Sequence, residues 1–181
     1  GVCASLPGFT RRPLVGYRAF VSATIAIGLL SFSVWAHHMF ATGQVFLPFF
    51  SFMTALIAVP TGVKMFNWLA TLWRGSVILA TPMLFALGFL SMFLIGGING
   101  AFLASVPVDY HVHATYFIVA HIHYVLFGGS VMGIFAGLSY WWPKMFGRTL
   151  NEGLGKIHFV GVFIGRNLPF SPVHLLVVPG V

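Results

Sequence analysis

Between Ala19 and Trp142 the chain carries only three formally charged residues, Lys64, Arg74 and Asp109. A stretch this apolar cannot cover a water-soluble domain, where about a quarter of positions are charged. It is stable only where its side chains face lipid and every backbone N–H and C=O is paired inside the chain. A cytoplasmic globular enzyme is excluded on that ground. Charged residues make up 6% of all 181 positions, so the same holds for the whole chain.

Crossing about 30 Å of hydrocarbon takes roughly 20 helical residues. Five stretches are long enough: residues 19–41, 45–73, 76–106, 115–142 and 157–178, the last interrupted by Arg166, Pro169 and Pro172. The sequence therefore predicts an all-α membrane protein, a multi-span transmembrane helix bundle forming a single transmembrane domain over residues 1–181. With consecutive spans, Arg11, Arg12, Arg18, Arg74, Lys144, Arg148 and Lys156 fall on one side, and the loops near Gly43 and Asp109 contain no Lys or Arg. By the positive-inside rule the N-terminal flank faces inward and the histidine-bearing helix ends face outward. The net charge of +7 is thus a topology signal rather than a nucleic-acid footprint, because no basic stripe forms. Gly96 with Gly100, and Gly129 with Gly133 and Gly137, have the small-xxx-small spacing of closely packed membrane helices. Both ends read as cut through a longer protein.

Cys3 is the single cysteine, so no thiolate cluster is available and metal chemistry would rest on the eight histidines. Four of them lie in apolar runs, where an imidazole must find a partner away from bulk water. His121 and His123 are two positions apart, about 200° around an α-helix, and so point to nearly opposite faces. They are poorly placed to chelate one ion. Each is suited to bind a separate haem, one on either side of the same helix; the alternative is two polar residues hydrogen-bonded within the bundle. His37 and His38, about 100° apart if helical, reach a common copper or zinc ion only with local distortion and further ligands from elsewhere. Lys64 is either part of a proton or ion pathway, with Thr61 one turn away, or a lysine reaching toward the membrane surface.

Taken as an ordered set, Val34-Trp35-Ala36-His37-His38-Met39-Phe40, Pro60-Thr61-Gly62-Val63-Lys64 and His113-Ala114-Thr115-Tyr116-Phe117-Ile118-Val119-Ala120-His121-Ile122-His123-Tyr124 resemble the catalytic subunit I of haem–copper terminal oxidases. The cytochrome c oxidase branch is the nearer match, through His123-Tyr124 and Val106-Pro107-Val108-Asp109. The resemblance extends over essentially the whole chain and implies about five helices of a larger twelve-helix bundle. It implies two copper B ligands, His37 and His38. It further implies His121 on the high-spin haem iron, His123 on the low-spin haem iron, and Lys64 with Thr61 on a proton-uptake route. His113 would lie at an outer magnesium site. The implied activity is proton-pumping reduction of oxygen to water with electrons from cytochrome c. A quinol-oxidising enzyme of the same superfamily and a non-catalytic dihaem electron carrier are the alternatives. The implied cofactors are two haems, copper B and a weakly held magnesium ion. The implied partners are the remaining part of subunit I, a copper-A-bearing subunit II, subunit III, cytochrome c and the lipid bilayer, with no nucleic acid. A bacterial or mitochondrial inner membrane follows, and the chain alone is expected to be inactive.

The chain departs from the family pattern at two places. Ala114 stands where the family usually has Asp, which removes a carboxylate oxygen from the magnesium site. The Gly165–Pro172 stretch brings a charge and two prolines into a span that the family keeps more continuously apolar.

Overall fold

The computed structural model describes residues 1–176. Its described elements are helical: α1 Val2–Thr10, α2 Tyr17–Ser33, α3 Leu47–Leu72, α4 Thr81–Leu103, α5 Val106–Val112, α6 Tyr116–His123, α7 Met132–Phe146 and α8 Glu152–Val173. A π-helical segment, Tyr124–Val131, joins α6 to α7 without a break, giving one 31-residue helix from Tyr116 to Phe146. Among the described residues three helices are long and apolar enough to cross a membrane: α3, α4 and Tyr116–Phe146. Of the two other expected spans, α2 is apolar but 17 residues long, and α8 has 22 residues but carries Glu152, Lys156 and Arg166. Residues 177 and 178 of the fifth expected span lie outside the described residues.

Helix α4 is the centre of the bundle. It packs against α7 and the π segment on one side and touches α1, α3 and α8 on others. Its Met83, Phe85, Ala86, Leu90 and Met92 meet Leu6, Tyr124, Met132 and Ala136 in the main core. Gly128 makes the closest of these approaches possible, since a Cβ there would lie 2.5 Å from Met92 Cβ. A side chain at 128 would force the two helices apart, which is the small-residue packing rule acting at one point.

Residues 34–38 are not helical, contrary to the expectation for 19–41. Helix α2 ends at Ser33 and the chain passes through turns into a short 3₁₀ helix at Phe40–Thr42. Packing accounts for the change of direction. Ala36 and Phe40 are fully buried in a small cluster with Phe50, and the Tyr110 hydroxyl donates to Phe40 O at 3.0 Å. A straight continuation of α2 would leave those contacts unmade.

Helix α8 is likewise continuous where an interruption was expected, with Pro169 and Pro172 inside it. Proline deletes a backbone donor and crowds the preceding turn, which ordinarily kinks a helix. Ties to the neighbouring helix on both sides of Pro169 compensate. The Tyr124 hydroxyl donates to Asn167 Oδ1 at 2.8 Å and shares a short hydrogen bond with Ser171 Oγ. Beyond the helix end, Asn99 Nδ2 lies 2.6 Å from His174 Nε2.

Candidate functional site

Thr115 caps α6, its hydroxyl accepting from Phe117 N at 3.3 Å, so the helix bearing His121 and His123 starts at a defined residue. His121 is 9% exposed and faces α4 at Gly100, where a Cβ would lie 3.0 Å from its Cε1. The absence of a side chain at 100 is what lets the imidazole fit. A cavity of about 280 Å³ opens beside it, between α3, α4, α6 and the 34–38 turn. His37, His38, His121, Thr61 and Gly97 are among its walls. The fold thus brings to one cavity three histidines that are up to 84 positions apart in sequence (121 − 37).

The His37 and His38 rings meet edge to face, with centroids 4.2 Å apart. The turn, rather than the 100° offset of a helix, sets their relation. His37 Nδ1 and His121 Nδ1 are buried without a protein hydrogen-bond partner. A buried imidazole with an unpaired nitrogen is costly unless a ligand completes it. Among the described residues, however, no three His, Cys, Asp or Glu side chains close into a metal site on their own.

His123 lies outside this cavity. Its Nδ1 is 2.7 Å from Val119 O, which assigns the proton to Nδ1 and leaves Nε2 as the lone-pair nitrogen. Its ring is stacked on Phe170 of α8, centroids 4.1 Å apart and planes within 14°. One helix therefore presents one imidazole to the cavity and another toward α8. Oriented neutral imidazole suits iron or copper, so the donor type and the open nitrogens fit such groups.

Lys64 and Thr61, one turn apart on α3, engage different partners. The Thr61 hydroxyl donates to Ile57 O at 2.8 Å on the cavity wall, and the Lys64 ammonium lies over the rings of Phe20 and Trp68, 4.8 and 5.4 Å from their centroids. Cation–π contact gives the charge a seat in apolar surroundings. His113 Nδ1 lies 2.9 Å from Asp109 Oδ2, and Asp109 is 3% exposed. That pairing was not assigned from the sequence, although its four-residue spacing on α5 is the visible signal. Ala114, next in the chain, has φ +58°, a left-handed backbone. The cluster of Tyr124, Asn167, Ser171, His174 and Asn99 was also missed, because its members come from three separate segments.

A bundle with long apolar helices and with histidines from two distant segments on one cavity defines a multi-span helical membrane protein. Comparison makes the family explicit: the model described as "Cytochrome C and Quinol oxidase polypeptide I" matches residues 2–181, and the chain belongs to that family. It is 57% identical over 171 residues to a Nocardia farcinica protein named "Probable cytochrome c oxidase subunit 1-beta", covering 94% of this chain and 29% of that one. It is 56% identical over 169 residues to cytochrome c oxidase subunit 1 of Corynebacterium diphtheriae, covering 93% and 30%. It is 53% identical over 178 residues to the Synechocystis protein of the same name, covering 97% and 32%. The chain thus spans about 30% of the length of the curated relatives it matches. The bacterial relatives and the apolar helices together identify a multi-pass protein of the bacterial inner membrane.

Proposed function

We propose that this chain is part of the catalytic subunit of a haem–copper terminal oxidase, contributing about five helices to a larger twelve-helix bundle. The proposed reaction is proton-pumping reduction of oxygen to water with electrons from cytochrome c. The remaining part of subunit I, a copper-A-bearing subunit II and subunit III are the proposed partners, and the chain alone is inactive. The observation that carries this reading is the division of labour on one helix, with His121 on the cavity that His37 and His38 also line and His123 on another side toward α8.

In this reading His37 and His38 hold copper B, His121 the high-spin haem iron and His123 the low-spin haem iron. The bound metals supply the one-electron redox chemistry and the oxygen-binding position. The chain's own contribution is placement. Val119 O fixes the His123 tautomer, Gly100 leaves room for His121, and the walls of the cavity beside His121 are mostly apolar. Thr61 and Lys64 belong to a proton-uptake route along α3, and the cation–π seat over Phe20 and Trp68 is the resting position of the ammonium. His113 keeps one ring nitrogen outside its contact with Asp109, but Ala114 supplies no carboxylate beside it, so the proposed magnesium site is weak.

Reduced-minus-oxidised and carbon-monoxide difference spectra of the parent complex, with iron and copper quantified, test the proposal. Two haems of which one binds carbon monoxide, together with copper, are expected. A complex holding two haems and no copper would favour a dihaem electron carrier instead. The matching family model covers quinol oxidases as well, and absence of a copper-A signal would move the electron donor to quinol.

A further inference from the structure

Arg166 of α8 has no role as a ligand at the proposed metal sites. It lies 14 positions after Glu152, roughly 20 Å along α8, and is half-buried beside apolar neighbours. Its Cζ is 3.6 Å from the centroid of the Phe127 ring. The chain has two acidic residues, and both are engaged elsewhere. Asp109 pairs with His113, and Glu152 accepts from Thr81 N and Oγ1 at 2.8 and 3.0 Å and faces Lys156. Among the described residues Arg166 therefore has no carboxylate partner.

Two aromatic rings link Arg166 to His123. Phe127 follows His123 by one turn, and their rings are parallel within 5° with centroids 6.1 Å apart. Phe170 follows Arg166 by one turn and stacks on His123. Two rungs thus connect the helices, guanidinium on Phe127 and Phe170 on His123. Beside them runs an open groove of about 420 Å³ whose other walls include Val131, Phe135 and Gly161, so that apolar groups replace part of the water that would screen the charge. Arginine supplies a planar, delocalised positive charge suited to stacking on an aromatic face.

We propose that Arg166 tunes the redox centre carried by His123, its fixed positive charge favouring the reduced form and so raising the midpoint potential. The idea rests on the assignment of His123 to the low-spin haem. Charge near a haem is a recognised lever on its potential, because adding an electron beside a cation is favourable by Coulomb's law. The guanidinium–phenyl contact and the stacking of Phe170 hold that cation within two side chains of the iron-binding imidazole.

The test is a spectroelectrochemical titration of the low-spin haem in the full oxidase, comparing the parent with Arg166→Gln, Arg166→Met and Arg166→Lys. Both neutral variants are expected to keep the low-spin absorbance with a lowered midpoint, and Arg166→Lys to restore it toward the parent value. Methionine keeps an apolar stem on Phe127, so it supplies the comparison if the glutamine variant does not assemble. An unchanged midpoint in a neutral variant that retains the haem overturns the proposal and leaves the oxidase reading intact. A midpoint lowered equally in the lysine variant also overturns it, since packing rather than charge would then be responsible. A parallel His123→Leu variant separates the two levels: if it retains the low-spin haem, the oxidase assignment of His123 fails and the tuning role with it.

Discussion

The Tyr124 hydroxyl donates to Asn167 Oδ1 at 2.8 Å, joining the π segment that follows the two histidines to α8 two residues before Pro169. Tyr124 is 1% exposed, so the phenol has no access to water as a substitute partner. Removing the hydroxyl leaves Asn167 Oδ1 and Ser171 Oγ short of a partner in a buried setting, at a cost of about 1–3 kcal/mol. Tyr124→Phe in the full oxidase is accordingly expected to lower the thermal midpoint of the complex. Hydrogen exchange should rise in residues 165–174, where the prolines already remove backbone donors. Protection there equal to the parent would show that the helix does not depend on this tie.

Gly100 and His121 make a second prediction. A valine at 100 would place its Cβ 3.0 Å from His121 Cε1 and add two methyl groups beyond it. Overpacking of this kind costs typically about 1–3 kcal/mol and is relieved by moving the softer partner, here the ring. Gly100→Val is expected to reduce the carbon-monoxide-binding haem severalfold while the low-spin haem band persists, because His123 lies on another side of the helix. Equal loss of both bands would mean that the substitution disrupts the bundle rather than one site.

Ala114 is strained for its residue type, with φ +58°, a region that Asp and Asn tolerate better than Ala. Ala114→Asp is therefore expected to fold at least as well and to supply a carboxylate next to His113. Manganese binding to the assembled oxidase, read by electron paramagnetic resonance, should tighten relative to the parent. No gain in bound manganese would show that a missing carboxylate is not what weakens the site.

Lys64 separates two readings of one residue. If the ammonium leaves its seat over Phe20 and Trp68 during proton uptake, Lys64→Met should slow reduction of the oxygen site by roughly 10²-fold, with both haems still assembled. If the seat is simply where a membrane lysine rests, the rate stays at the parent value. Stopped-flow reduction monitored at the high-spin haem distinguishes the two.

Much of the site was legible because its chemistry is tied to local spacing. Two positions on a helix dictate different directions for His121 and His123 whatever surrounds them, and the four-residue spacing of Asp109 and His113 was equally available. The cavity was not legible, since it requires α4 to bring Gly97 and Gly100 past a turn 60 residues earlier in the chain (97 − 37). The end of α2 was misread for a related reason. Val34 to Phe40 is apolar enough to continue a helix, and only burial of Ala36 and Phe40 against Phe50 makes the turn preferable.

The amino-acid sequence by itself determined the solvent, the helical class and the kind of donor available for metals. Those follow from backbone satisfaction in lipid, from an almost charge-free composition and from a single cysteine, all independent of which helix lies beside which. Tertiary structure alone decided that α8 runs through two prolines, that Lys64 lies over the rings of Phe20 and Trp68, and that Arg166 comes to rest on Phe127. In each case the local preference is weak or adverse. The outcome was set by a partner distant in sequence, whose packing or hydrogen bond outweighs it.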